Sequence, residues 1–161
     1  MIRSAQPADV DAIAALHTRA RATYYRGRVP EQAYGGDVEL ARTREGWSRA
    51  VARAAADGGV LCAERDGELT GVAAFRTADG ETTLTQLHVD PPHWRRGTGA
   101  ALHAACLDTW RLAGIPRVRL EVYVHNLRAQ AFYATHGWLP APEPGPSASH
   151  RTLWLTVAPP P

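Results

Sequence analysis

Apolar positions recur at helical spacing through Val10, Ile13, Ala14, Leu16 and Ala20, which predicts a first helix entered near Pro7 or Asp9 behind a short strand at Ile2. Between Gly27 and Gly36 the pattern gives way to glycine, proline and aromatic residues and reads as loop. It resumes over Val38 to Ala56, a second helix carried by Leu40, Trp47, Val51 and Ala54. Alternation then takes over. VLCAER and LTGVAAFR flank Asp66-Gly67, a hairpin signal, and TADGE turns the chain into TTLTQLHV, so three strands form a meander. In the third of them, strict alternation puts Leu84, Gln86 and His88 on one face.

A helix follows over Gly99 to Ala113, with Leu102, Ala105, Cys106 and Ala113 at helical spacing and Gly114 and Pro116 as its stop. VRLEVYV alternates as a strand, Asn126 is an N-cap for a short helix through Ala134, and Gly137 can close that helix in a left-handed turn. PAPEPGPSAS is loop, HRTLWLTV is the final strand, and residues 159–161 are a proline tail.

These elements fit one mixed α/β domain over residues 1–158, since 161 residues suffice to close a core without disulfides or metal. The formal net charge is only +2 and the arginines are scattered, which argues against nucleic acid as a partner. Cys62 and Cys106 lie too far apart for a zinc or redox pair and read as buried thiols, so no metal is expected. No basic and apolar leader and no run of membrane length is visible, so the expectation is a cytoplasmic protein without a membrane partner.

The chemistry concentrates in HWRRGTGAAL, His93 to Leu102, where Gly97 and Gly99 stand behind two arginines at a helix start. Amides at such a start suit a phosphorylated ligand. A nucleotide triphosphatase loop needs a lysine after its second glycine, and this chain contains no lysine. A dinucleotide turn needs a third glycine where Leu102 stands. What remains is a pyrophosphate held by amides from Gly97, Thr98, Gly99 and Ala100, with Arg95 and Arg96 as counter-charges.

That arrangement resembles the GNAT superfamily of acetyl-coenzyme A dependent N-acetyltransferases, through Val89, Pro91, Gly97 and Gly99. NLRAQAFYATHGW strengthens the resemblance, because Asn126, Arg128, Ala129, Phe132, Tyr133, Gly137 and Trp138 follow the family's second motif. Trp94 departs from the family's usual Gln or Arg, a position that offers its backbone amide. The resemblance implies a central, mostly antiparallel sheet of six or seven strands with about four helices, splayed between strands four and five. Acetyl-coenzyme A would lie in the gap against Leu87, His88 and Val89, with Asn126, Ala129 and Phe132 beside the pantetheine arm. A homodimer through the last strand and Trp154 is expected by the same analogy.

Acetyl transfer to a primary amine, that of a peptide or protein N-terminus or of a small molecule, needs a deprotonated amine, a polarised carbonyl and a proton for the departing thiolate. The resemblance makes Tyr133 the acid and Glu121 the base, with His88 a second route for the base. Glu121 alternates away from Leu120 and Val122, onto the less apolar face of its strand. Direct attack within a ternary complex is expected, since neither cysteine sits in a nucleophile setting. Tyr25, Glu31 and His150 are the acceptor-site candidates, with Tyr24, Tyr34, Trp47, Trp138 and Trp154 behind them. Gln86 cannot serve as a base, which keeps a rival open: a module that senses acyl-coenzyme A without transferring anything.

Overall fold

Two Asp-Gly turns fold the middle of the chain. Asp66 and Gly67 (φ 53° and 79°) join β2 (Gly58–Arg65) to β3 (Glu68–Ala78), and Asp79 and Gly80 (φ 52° and 77°) join β3 to β4 (Glu81–Val89). Both central residues of each turn are left-handed, the geometry that matches the twist of a tight hairpin. β1 (Ile2–Ser4) adds to the free side of β2. The computed structural model describes Met1 to Pro161 and places all seven strands in one sheet, in the order β1-β2-β3-β4-β5-β7-β6. β5 (Arg117–Tyr123), β6 (Leu139–Pro140) and β7 (His150–Thr156) form the second half, and β6 takes in Pro140, the first residue of the segment read from the sequence as loop.

The interior strand β3 shows how the two layers divide. Val72 and Ala74 pack with Ile13, Ala14 and Leu16 of α1 (Val10–Tyr25) and Trp47 of α2 (Asp37–Asp57). Ala73 and Phe75 face the other way, onto Leu102, Cys106 and Trp110 of α3 (Thr98–Leu112). Tyr133 of α4 (Leu127–Thr135) and Trp138 complete that second core. Alternation along one buried strand therefore feeds both faces.

The sheet parts where it changes direction. β4 and β5 are its parallel pair, joined only at Thr82 with Val118 and Thr83 with Arg119, and they diverge beyond that point as expected for strands four and five. The Asp90 amide donates to Thr70 just past the end of the β3–β4 ladder, so the alternation of antiparallel bonds turns the amides of Leu87 and Val89 away from β3. They face the gap.

One register shift changes the chemistry of the cleft. Ala74 pairs with Gln86 but Phe75 pairs with Leu84, which leaves Thr85 as an extra, bulged residue whose Oγ1 donates to the Ala74 carbonyl at 3.0 Å. Strict alternation through β4 therefore fails. Leu84 and Leu87 lie on the α3 side, whereas Gln86 and His88, opposite Ala74 and Val72, lie on the α1 side.

Candidate active site

The amide array is built by backbone shape. Arg95 (φ 59°) and Gly97 (φ 81°) are both left-handed, and α3 starts immediately afterwards without a side-chain cap. Its first intrahelical bond runs from the Ala101 amide to the Gly97 carbonyl, so the six amides from Arg95 to Ala100 donate to no acceptor in the protein. Six unpaired donors at a helix start are an anion cradle. Gly99 serves packing: a Cβ there would stand 3.3 Å from the Phe132 ring and 3.6 Å from Val89 Cγ2.

Trp94 acts through its indole, not through its backbone amide, which already donates to Pro91. Its Nε1 donates to the Val89 carbonyl at 2.9 Å, and the Arg128 guanidinium stacks over the ring 3.0 Å from its centroid. Trp94 thus ties the end of β4 to the start of α4 across the mouth of the gap. Burial, with the nearby Arg95 charge, holds the Arg128 pKa below its ordinary value. Arg96 is exposed and lies outside the cleft lining, unlike Arg95.

The resulting cleft, of about 390 Å³, runs from Arg95 and the α3 start past Leu87 and Val89 to Asn126, Phe132 and Tyr133. Asn126 caps α4 by accepting from the Ala129 amide at 3.2 Å. These residues fit a long phosphorylated ligand: donors at one end, apolar walls in the middle, a phenol at the other end.

A second cleft, of about 310 Å³, opens on the α1 side of the same gap, lined by Glu121, Tyr25, Tyr123, His150 and Gln86 among others. Tyr24, Leu87, His88, Asn126, Ala129 and Tyr133 line both spaces. Tyr133 is buried, and that burial, reinforced by Tyr24 and Cys106, raises its phenol pKa well above the ordinary range, keeping it protonated. Glu121 is the carboxylate of the second cleft, held 3.2 Å from Arg119, which also reaches Glu81 at 3.1 Å.

His88 is held from two sides. Its Nε2 lies 2.6 Å from Gln86 Oε1, and its ring stacks on His17 at 4.2 Å between centroids. His17 Nδ1 accepts from Trp47 Nε1 at 3.0 Å, which fixes the His17 proton on Nε2. Burial lowers the His88 pKa to about 4 and that of His17 to about 2, so both rings are neutral near pH 7. Burial likewise pushes Cys62 up to about 11 and Cys106 up to about 12. Both are thiols, with no thiolate to attack.

Residues 15–138 match the acetyltransferase (GNAT) family. The chain belongs to it. Mycothiol acetyltransferase of Clavibacter michiganensis subsp. michiganensis is 34% identical over 126 residues, which are 78% of this chain and 38% of that protein. The chain therefore spans less than half the length of that curated relative. Among solved structures, the PaiA N-acetyltransferase of Thermoplasma acidophilum in complex with coenzyme A superposes with a TM-score of 0.87 at 18% identity, covering 97% of this chain and 98% of that one. The ribosomal-protein-alanine N-acetyltransferase of Brucella melitensis gives 0.72 at 19%, covering 97% and 99%. Both likenesses concern the fold.

With the GNAT fold in place, the acceptor-site expectations divide. Tyr25 and His150 line the second cleft; Glu31 is exposed in the α1–α2 loop and lines neither cleft. Tyr34, Trp47 and Trp138 are core residues, the last donating to His103 Nε2 at 2.9 Å. Trp154 pairs with Leu139 of β6 and carries Arg117 4.3 Å over its ring. Sequence reasoning missed His17 and the Arg19–Asp90 pair, a two-pronged bridge at 3.0 and 2.8 Å that pins α1 to the end of β4. No helix is long and apolar enough to cross a membrane.

Proposed function

We propose that this domain moves the acetyl group of acetyl-coenzyme A to a primary amine by direct attack while both are bound. The observation that carries this reading is the shared wall: a cleft headed by unpaired amides and a cleft holding one carboxylate meet at Tyr133. The coenzyme's phosphates would lie on the amides from Arg95 to Ala100, and its pantetheine arm would run beside the amides of Leu87 and Val89, one of which would polarise the thioester carbonyl.

The amine enters from the α1 side, where Glu121 accepts its proton, in one step or through water. The amine nitrogen then bonds to the carbonyl carbon, the carbon–sulfur bond breaks, the departing thiolate takes the Tyr133 proton, and the proton still carried in excess by the new amide nitrogen passes to the Tyr133 oxygen. His88, its Nε2 engaged by Gln86 Oε1 and its ring stacked on His17, serves as a neutral hydrogen-bonding wall. Protonated thiols at Cys62 and Cys106 support direct attack over an acyl-enzyme.

Calorimetry with acetyl-coenzyme A, followed by thiol release over a panel of amines, tests the reading. Binding with turnover supports it. Binding without turnover on any amine points to the sensing module, and absence of binding removes both.

A further inference from the structure

The α1 and α2 side of the sheet carries a further groove, of about 440 Å³, between α2 and the strands β2 and β3. Arg21, Arg42, Arg49, Arg53 and Arg76 line it against the carboxylates of Glu39 and Asp57. The lining thus holds an excess of three positive charges, while the whole chain carries +2. The positive charge is concentrated there.

Most of these arginines are weakly committed. Arg21 is consumed internally by the Tyr34 carbonyl, Glu39 and Thr43. Arg53 has no carboxylate partner, Arg76 meets Asp57 only at 3.6 Å, and Arg42 shares Glu39 with Arg21. Arg49 pairs with Glu45 one turn away along α2. The side chains of Arg42, Arg49 and Arg76 are 73%, 58% and 50% exposed, and pairs so exposed contribute little and exchange readily for a ligand anion.

The groove is continuous with the acceptor cleft, since His17, Arg21, Thr85 and Gln86 line both. Thr43, bonded to Arg21, marks the near end. Arg53 lies ten positions further along α2, or about 15 Å at the helical rise. Arg76, paired in register with Gly58 just past the end of α2, closes the far end. An extended chain covers that distance in roughly four to five residues.

We propose that this groove receives an extended acidic peptide segment, so that the acceptor is a peptide or protein N-terminus whose carboxylates, a few residues in, meet Arg53 and Arg76. The proposal rests on the acetyl-transfer reading and names its substrate class. The amine sits against Tyr133 and Glu121, the next residues pass His17 and Gln86, and the acidic side chains exchange for the weak partners of the arginines.

Two peptides beginning Ser-Ala-Gly test this, one with glutamates and one with glutamines at the fourth to eighth positions, in a thiol-release assay. The expected result is a preference for the glutamate peptide of about tenfold in kcat/KM, carried by KM and fading as salt rises. Arg53→Glu combined with Arg76→Glu should abolish or reverse that ratio. So should Gly46→Glu, which sets a carboxylate in the groove at a position where a Cβ meets nothing within 4 Å. Arg65→Glu, at the distant β2–β3 turn, should leave the ratio as in the wild type. Each comparison is a ratio within one protein, so a general loss of activity does not imitate the effect. Equal rates for the two peptides, turnover confined to small amines, or a preference that survives both groove changes would overturn the groove assignment while acetyl transfer stands. Failure to bind acetyl-coenzyme A, or to turn over any amine, would overturn both.

Discussion

The two clefts that meet at Tyr133 are made in different ways. The cleft on the α3 side is mostly backbone: left-handed residues at Arg95 and Gly97, six unpaired amides, and strand amides turned into the gap by the ladder. The cleft on the α1 side is made of side chains from α1, β4, β5 and β7, held by contacts such as the His17–His88 stack and the Arg19–Asp90 bridge. A ligand common to a family suits the first construction, because amides do not change with the side chains around them. A variable acceptor suits the second.

The contrast breaks most sharply at Tyr133, one of the residues both clefts share. Tyr133→Phe should lower turnover by about 10² to 10³-fold while acetyl-coenzyme A affinity stays near the wild-type value, compared by thiol release and calorimetry. An unchanged rate would remove the acid from Tyr133. Glu121→Gln should affect the side-chain cleft alone, with turnover down about 10 to 10²-fold and recovering as pH rises and free amine accumulates. Weakened coenzyme binding in that variant would show that the two spaces are not separable.

Gly97→Ala should do the converse. A left-handed non-glycine residue costs about 1 to 2 kcal/mol, so acetyl-coenzyme A should bind roughly 5 to 30-fold more weakly if the loop relaxes to avoid it. KM for the amine should change little, as steady-state kinetics with each substrate varied would show.

The effect furthest from the chemistry of either cleft concerns pH and stability. Burial holds His17 at about 2 and His88 and His103 at about 4, below their value of about 6.5 in the unfolded chain. Depressed histidine pKa values favour unfolding wherever the unfolded chain takes up protons that the folded one does not. Stability is therefore fully present above about pH 6.5 and declines as pH falls towards 4. Thermal unfolding followed between pH 7 and 4 should show a falling Tm, and His17→Phe should flatten the slope if the ring is as dry as the structure places it.

The sequence exposed the backbone cleft because its requirements are local. Glycine at positive φ, an asparagine cap and a helix start all leave marks within a few residues, and Asp66-Gly67 marked its hairpin in the same way. The side-chain cleft left no such marks. Nothing around His17 announces a stack on His88, which lies 71 positions along the chain, and Glu31 looked available only because loop residues cannot be placed without the fold. Alternation puts Leu84 on the wrong face because it assumes that no residue is bulged, and Thr85 carries no signal of its own. The motif points to the backbone of Trp94, whereas its indole makes the contact.

The bulge at Thr85 also implies a change of chain length that the site would absorb. Because Thr85 is the residue left out of the ladder, losing it would restore strict alternation and leave Leu84, Gln86, Leu87 and His88 on the faces they already occupy. The apolar wall and the imidazole would keep their sides of the sheet, and only the local bend of the strand would change. A relative that differs from this protein by a single gap at the bulge would keep the same acceptor wall, with every catalytic motif still legible.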